Sequence, residues 1–111
     1  MTEDAIQSEI VAWFNSAHPE YRGLFFHVNN NPRNKVDGAR LARMGLVPGI
    51  PDLLLLANKT VYGFELKTET GKLSQWQEKV HAIWRAAGYQ IYVVRNLKDF
   101  QEIITKIFGT Y

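Results

Sequence analysis

GLVPGIPDLLLLANKTVYGFELK, residues 45 to 67, is the stretch that decides the fold. Its first eight residues form a loop stiffened by Pro48, Gly49 and Pro51. Leu53 to Ala57 follows as a short apolar run, bounded by Pro51 and by Asn58-Lys59. So short a run with turn signals at both ends predicts a fully buried strand rather than a helix. Asn58-Lys59 predicts a tight turn, and residues 60 to 67 its partner strand. On that strand Tyr62, Phe64 and Leu66 share one face, while Val61, Gly63, Glu65 and Lys67 share the other. If the turn pairs the strands antiparallel, Asp52 lies opposite Glu65, and such neighbours sit about 4.5–5.5 Å apart at Cβ.

Working outward, residues 3 to 17 read as a helix, with Ile6, Ile10, Trp13, Phe14 and Ala17 at helical spacing and Glu3 and Asp4 in its first turn. Residues 24 to 28 read as a strand, Asn29 to Pro32 as a turn, and residues 37 to 44 as a short helix ending at Gly45. On the other side, residues 68 to 72 are a loop and 74 to 87 a helix. Ser74 and Gln77 have the spacing of a capping box. Trp76, Val80, Ile83 and Ala87 are the expected apolar face of that helix. Residues 89 to 94 read as a strand and 97 to 108 as a last helix, with Phe100, Ile103, Ile104 and Ile107 inward. The predicted class is α/β, a mixed central sheet flanked by helices.

Bulk properties narrow the possibilities. A length of 111 residues fits one domain, residues 1 to 111, with no repeat or low-complexity segment. The absence of cysteine excludes a disulfide framework and thiolate metal sites, and suits a cytoplasmic protein. MTEDAIQSEI has no basic segment leading into an apolar run, so it is not expected to be a signal peptide. The Leu53–Ala57 run is far too short to span a bilayer. Net charge is only +2, but Arg33, Lys35, Arg40 and Arg43 crowd one stretch in which Asp37 is the only acid. That stretch is either a solvated loop and helix face or a set of phosphate contacts.

Two facing carboxylates repel unless a cation lies between them, and a hard divalent ion such as Mg²⁺ or Mn²⁺ suits oxygen ligands. Lys67 projects from the same face as Glu65, where it could orient a water or hold a phosphate oxygen. An E-x-K triplet by itself is common and more often a surface ion pair. Here it ends a strand whose other face is apolar, and Pro51-Asp52 opens the strand before it. The histidines are too scattered for a zinc site. His27 reads as structural, His18 as a loop residue, and His81 as a solvated residue on the polar flank of its helix. Trp13, Trp76 and Trp84 read as packing or subunit contacts.

Pro51-Asp52 followed by Glu65-Leu66-Lys67 on adjoining strands resembles the PD-(D/E)xK nuclease superfamily. The longer series is Gly49-Ile50-Pro51-Asp52-Leu53, Phe64 to Lys67, Gly71-Lys72-Leu73-Ser74 with Gln77, and Gly88-Tyr89 with Tyr92-Val93-Val94. It resembles the VRR-NUC (virus-type replication-repair nuclease) family over nearly the whole chain. The resemblance implies a restriction-endonuclease-like core and a metal-dependent DNA endonuclease. Asp52, Glu65 and the backbone carbonyl of Leu66 would bind Mg²⁺ or Mn²⁺, Lys67 would act on the attacking water, and Glu9 would complete the metal shell. Gln77 would lie near the active site, although its own context reads equally as the partner of Ser74. Arg33, Lys35, Arg40, Arg43 and Lys72 would contact DNA phosphates. Stand-alone members imply a homodimer that resolves four-way Holliday junctions in DNA repair, of phage or prophage origin. The alternatives are a nucleic-acid-binding module with a nuclease-like fold and no catalysis, and an interaction domain in which Glu65 and Lys67 form a surface ion pair.

Overall fold

Asn58 and Lys59 both take positive φ, 53° and 60°, the two-residue turn whose twist matches that of paired strands. In the computed structural model, which describes residues 1–28 and 34–109, this turn joins β2 (Leu53–Ala57) to β3 (Thr60–Leu66). The strands pair antiparallel with Leu53 opposite Phe64 and Ala57 opposite Thr60, so the register expected from the sequence holds. The turn expected at Asn29 to Pro32, and Arg33, lie outside the described residues.

β1 (Phe25–His27) pairs antiparallel with β2, and β4 (Gln90–Val94) pairs parallel with β3, giving a mixed sheet in the order β1-β2-β3-β4. The parallel step needs a crossover, which α3 (Gln75–Ala86) supplies. α1 (Glu3–Ala17) precedes the sheet, α2 (Lys35–Arg43) lies between β1 and β2, and α4 (Leu97–Phe108) follows β4. No helix among the described residues is long and apolar enough to cross a membrane.

The strand period of two sorts the sheet's side chains. Leu53, Leu55, Tyr62, Phe64, Leu66 and Val94 fall on one face and are buried with Ile6, Ile10 and Phe14 of α1 and Phe100 and Ile104 of α4. Rings dominate this layer. Phe14 and Phe25 have centroids 4.4 Å apart, and Phe64 and Phe100 5.1 Å. Each such side chain contributes roughly 1.5–3 kcal/mol on burial. Trp13 packs against the same layer, and His18 sits with its ring 5.0 Å from both Phe14 and Phe108, so the loop histidine is a packing residue.

The opposite face carries Gly63, Glu65 and Ile91 and is covered by α3, whose Arg85 donates to the Ile91 carbonyl at 3.0 Å. The apolar face expected for α3 is corrected here. Val80 is buried, but Trp76 is 60% exposed and Ile83 66%. The helix is rotated so that Val80 and His81 point inward. α2 begins two residues earlier than its hydrophobic pattern suggests, because the Asn34 side chain caps it by accepting from Asp37 N at 2.8 Å.

Candidate active site

The site is built where β2 begins and β3 ends. Gly63 makes this possible: a Cβ there would meet Pro51 Cγ at 2.8 Å, so only glycine lets Pro51 lie over β3 and set the next residue at the strand end. That residue is Asp52. Its backbone carbonyl accepts from Val28 N at 2.9 Å and lies 3.0 Å from His27 Nδ1. Its carboxylate Oδ2 accepts from Leu66 N at 2.7 Å. Asp52 is thus tied to β1 by its backbone and to β3 by its side chain.

Glu65 lies across the hairpin from Asp52 and is 1% exposed. A carboxylate in such a place needs hydrogen-bonding partners, since burial without them is costly. α3 supplies them. Gln77 Nε2 donates to Oε2 at 3.1 Å, and His81 Nε2 lies 3.1 Å from Oε1. Gln77 is fixed in turn by the capping box, in which its Oε1 accepts from Ser74 N at 2.8 Å and its backbone N–H donates to Ser74 Oγ at 3.1 Å. The cap orients the amide so that its nitrogen faces Glu65, and the two readings of Gln77 therefore coexist.

Burial, then a hydrogen bond shared with Asp52, then the charge of Asp52 push the Glu65 carboxyl up to about 9, while Lys67 pulls the other way and Glu3 adds to the rise. Two acids brought together in this manner disfavour a second negative charge, and a divalent cation would relieve that repulsion. Asp52, Glu65 and Leu66 all line one open cavity of about 350 Å³. Among the described residues no three His, Cys, Asp or Glu side chains are arranged to hold a metal. A cation held here would draw on the Asp52 and Glu65 carboxylates, with water or phosphate filling the remaining positions.

Lys67 follows Glu65 by two residues and remains in the ladder through Lys67 N to Val94 O at 3.0 Å. The loop that leads from it to α3 is gathered by Arg95, whose guanidinium donates to the carbonyls of Thr68, Glu69 and Gly71. The opposite wall of the cavity comes from Pro48 and Gly49. Gly49 has φ +87°, and a Cβ there would meet Trp76 O at 2.5 Å. The loop can press on the first turn of α3 only as glycine.

Other sequence-predicted residues fall elsewhere. Glu9 is exposed and does not line the cavity; Glu3, Asp4 and Gln7 of the same helix do. The reason is helical geometry. Glu9 lies about a third of a turn around the helix from Glu3 and roughly 9 Å along it, whereas Gln7 stands one turn above Glu3 on the same side. His81 is also corrected: it is 1% exposed and hydrogen-bonded to the Glu65 carboxylate, not solvated. Its position one turn after Gln77 was the available signal. His27 lines the cavity and holds the Asp52 carbonyl. Lys35, Arg40 and Arg43 lie on α2, where Arg40 pairs with Asp37 at 2.9 Å. Lys72 is exposed two residues before Ser74, a residue of the cavity wall.

The fold is thus a four-stranded mixed sheet with an antiparallel hairpin and a parallel crossover, carrying an acid at each of two adjoining strand ends. A solved structure described as a "VRR_NUC domain protein" has this same fold: it superposes with a TM-score of 0.82 over 99% of this chain and 92% of its own, at 18% sequence identity. No protein-family model and no curated protein matches the sequence.

Proposed function

We propose that this protein is a divalent-metal-dependent DNA endonuclease of the VRR-NUC kind, acting on branched DNA as a cytoplasmic homodimer. The observation that carries the reading is that Asp52 and the buried Glu65 line one cavity, Asp52 being held beside Glu65 by its hydrogen bond to Leu66 N, with Lys67 two residues on. In this reading Asp52, Glu65 and the Leu66 carbonyl hold Mg²⁺ or Mn²⁺. When bound, the ion supplies a more acidic water and offsets charge on the phosphate. Gln77 fixes Glu65, and Lys67 orients the attacking water or holds a non-bridging phosphate oxygen. Lys35, Arg40, Arg43 and Lys72, with Arg33, supply phosphate contacts that position DNA without reading its sequence. Pro48 of the cavity wall comes five residues after Arg43, a reach of at most about 18 Å.

The homodimer is supported by the outward side of α3 and the adjoining ends of β2 and β3. Ile83, Trp84 and Tyr89 meet Leu54 and Val61 there in an open apolar groove, the kind of surface that a subunit contact would cover. Two copies would bring paired active sites to the opposed strands of a four-way junction.

The deciding experiment incubates labelled four-way junction, flap and linear duplex DNA with the protein in Mg²⁺, in Mn²⁺ and in EDTA, beside the Lys67→Ala variant. Cutting that needs the metal and is lost in the variant is the expected result, and the cleavage pattern identifies the substrate. Wild-type binding to DNA with no product on any substrate would favour the non-catalytic module.

A further inference from the structure

We infer that His81 is a positioning residue for the metal-binding carboxylate: it holds Glu65 in the orientation in which it can face Asp52 across a shared cation. The inference rests on the nuclease reading above and assigns to α3 a role beyond covering the sheet.

Three observations carry it. His81 is 1% exposed, and its side chain bonds Glu65, with Nε2 at 3.1 Å from Oε1. Gln77, one turn earlier on the same helix, takes the other oxygen of the same carboxylate. The two side chains form a fork that fixes the plane of the carboxyl group, as a two-point contact does and a single hydrogen bond does not. Lastly, His81 Nδ1 is buried with no hydrogen-bond partner among the described residues. A side chain retained for packing alone would carry no such burden, since a leucine or methionine fills similar space with nothing left unpaired. The contact with Glu65 is what the imidazole offers and an apolar side chain does not. Partners that orient a metal ligand from behind typically alter metal affinity by about 10- to 100-fold when removed.

The fork also explains why α3 is turned away from its own apolar stripe. Rotating Trp76 and Ile83 inward would take Gln77 and His81 off Glu65 and leave a buried carboxylate without donors.

The test compares His81→Leu, His81→Asn and His81→Gln with wild type by calorimetric titration of Mn²⁺. Glutamine can place an amide nitrogen where the imidazole has Nε2; asparagine is too short. The expected result is a loss of at least about tenfold in Mn²⁺ affinity for His81→Leu and His81→Asn, with His81→Gln within about threefold of wild type. A purely structural histidine would give the reverse pattern: His81→Leu as stable as wild type by thermal melting, with unchanged Mn²⁺ affinity, and that result overturns the inference. A measurement free of substitutions guards against unfolded variants. In ¹⁵N-histidine-labelled wild type, the His81 ring signals should move on titration with diamagnetic Mg²⁺, with the affinity of a parallel Mg²⁺ calorimetric titration; signals that stay fixed at saturating Mg²⁺ overturn the inference equally. Wild type that binds no divalent cation removes the nuclease reading, and the inference with it.

Discussion

The two faces of the sheet are built on opposite principles. The α1–α4 face is a layer of aromatic and aliphatic side chains, with Phe14, Phe64 and Phe100 fully buried. The α3 face buries an acid, a histidine and, half-buried, a glutamine, while leaving Trp76 and Ile83 in solvent. Apolar area stabilises the first face without regard to direction. Directional hydrogen bonds set the second, and they fix a helix in an orientation that its hydrophobic pattern does not favour. One face therefore holds the fold and the other holds the candidate site.

Paired substitutions break this comparison most sharply. Lys67→Ala, on the α3 face, should lower DNA cutting on the order of 10²–10⁴-fold with little change in the melting temperature. Phe100→Ala, on the other face, should cost about 3–5 kcal/mol of stability and leave the cutting rate per folded molecule near wild type. Denaturant melts beside single-turnover cleavage check both. A Lys67→Ala protein that melts far below wild type would show that the two faces are not separable.

Acidity sharpens the same contrast. Glu65 holds its proton up to about 9 in the folded, metal-free protein, against 4.5 in an unfolded chain. The folded state therefore binds more protons across that window, and stability is lost as the pH rises through it. His81 has the opposite sign: burial, then Arg85, lower it from 6.5, so its contribution is present above about 6.5 and lost as the pH falls. Between pH 7 and 9 only the Glu65 trend remains of the two. The melting temperature in EDTA should fall over that range, and saturating Mg²⁺ should raise it more at pH 9 than at pH 7, because the ion no longer competes with a proton. Thermal melts of wild type beside Glu65→Gln isolate the effect; equal slopes for the two proteins would place the proton elsewhere.

The hairpin was legible in the sequence because local rules agree there. Asn58-Lys59 accepts positive φ, the strand alternation is clean, and the register places Asp52 against Glu65. The orientation of α3 was not legible, since an apolar stripe at helical spacing and a buried polar pair on the same helix make opposite claims. Only the burial of Glu65 decides between them, and burial is a property of the tertiary fold. The acids lining the cavity were misplaced for a related reason. Glu3 and Asp4 explain themselves locally as partners of the helix dipole, and nothing within α1 shows which end of it meets the cavity.

That last difference yields the smallest effect. Glu3 lines the cavity and its charge reaches Glu65, whereas Glu9 is exposed away from it. Glu3→Gln should weaken Mg²⁺ binding by about two- to fivefold, the scale of one exposed charge near a cation, and Glu9→Gln should leave it unchanged. Because the Glu3 side chain is in solvent, its effect should shrink as salt rises from about 0.05 M to 0.5 M, where screening shortens the reach of exposed charges. A direct ligand would resist salt. Calorimetry at both salt concentrations thus separates three cases: a remote attractor at Glu3, a true ligand at Glu3, and a ligand at Glu9 that reaches the site only when DNA is bound. The last is tested by repeating the titration with a non-cleavable junction present, where a loss confined to Glu9→Gln would restore the glutamate that the resemblance to VRR-NUC proteins implies.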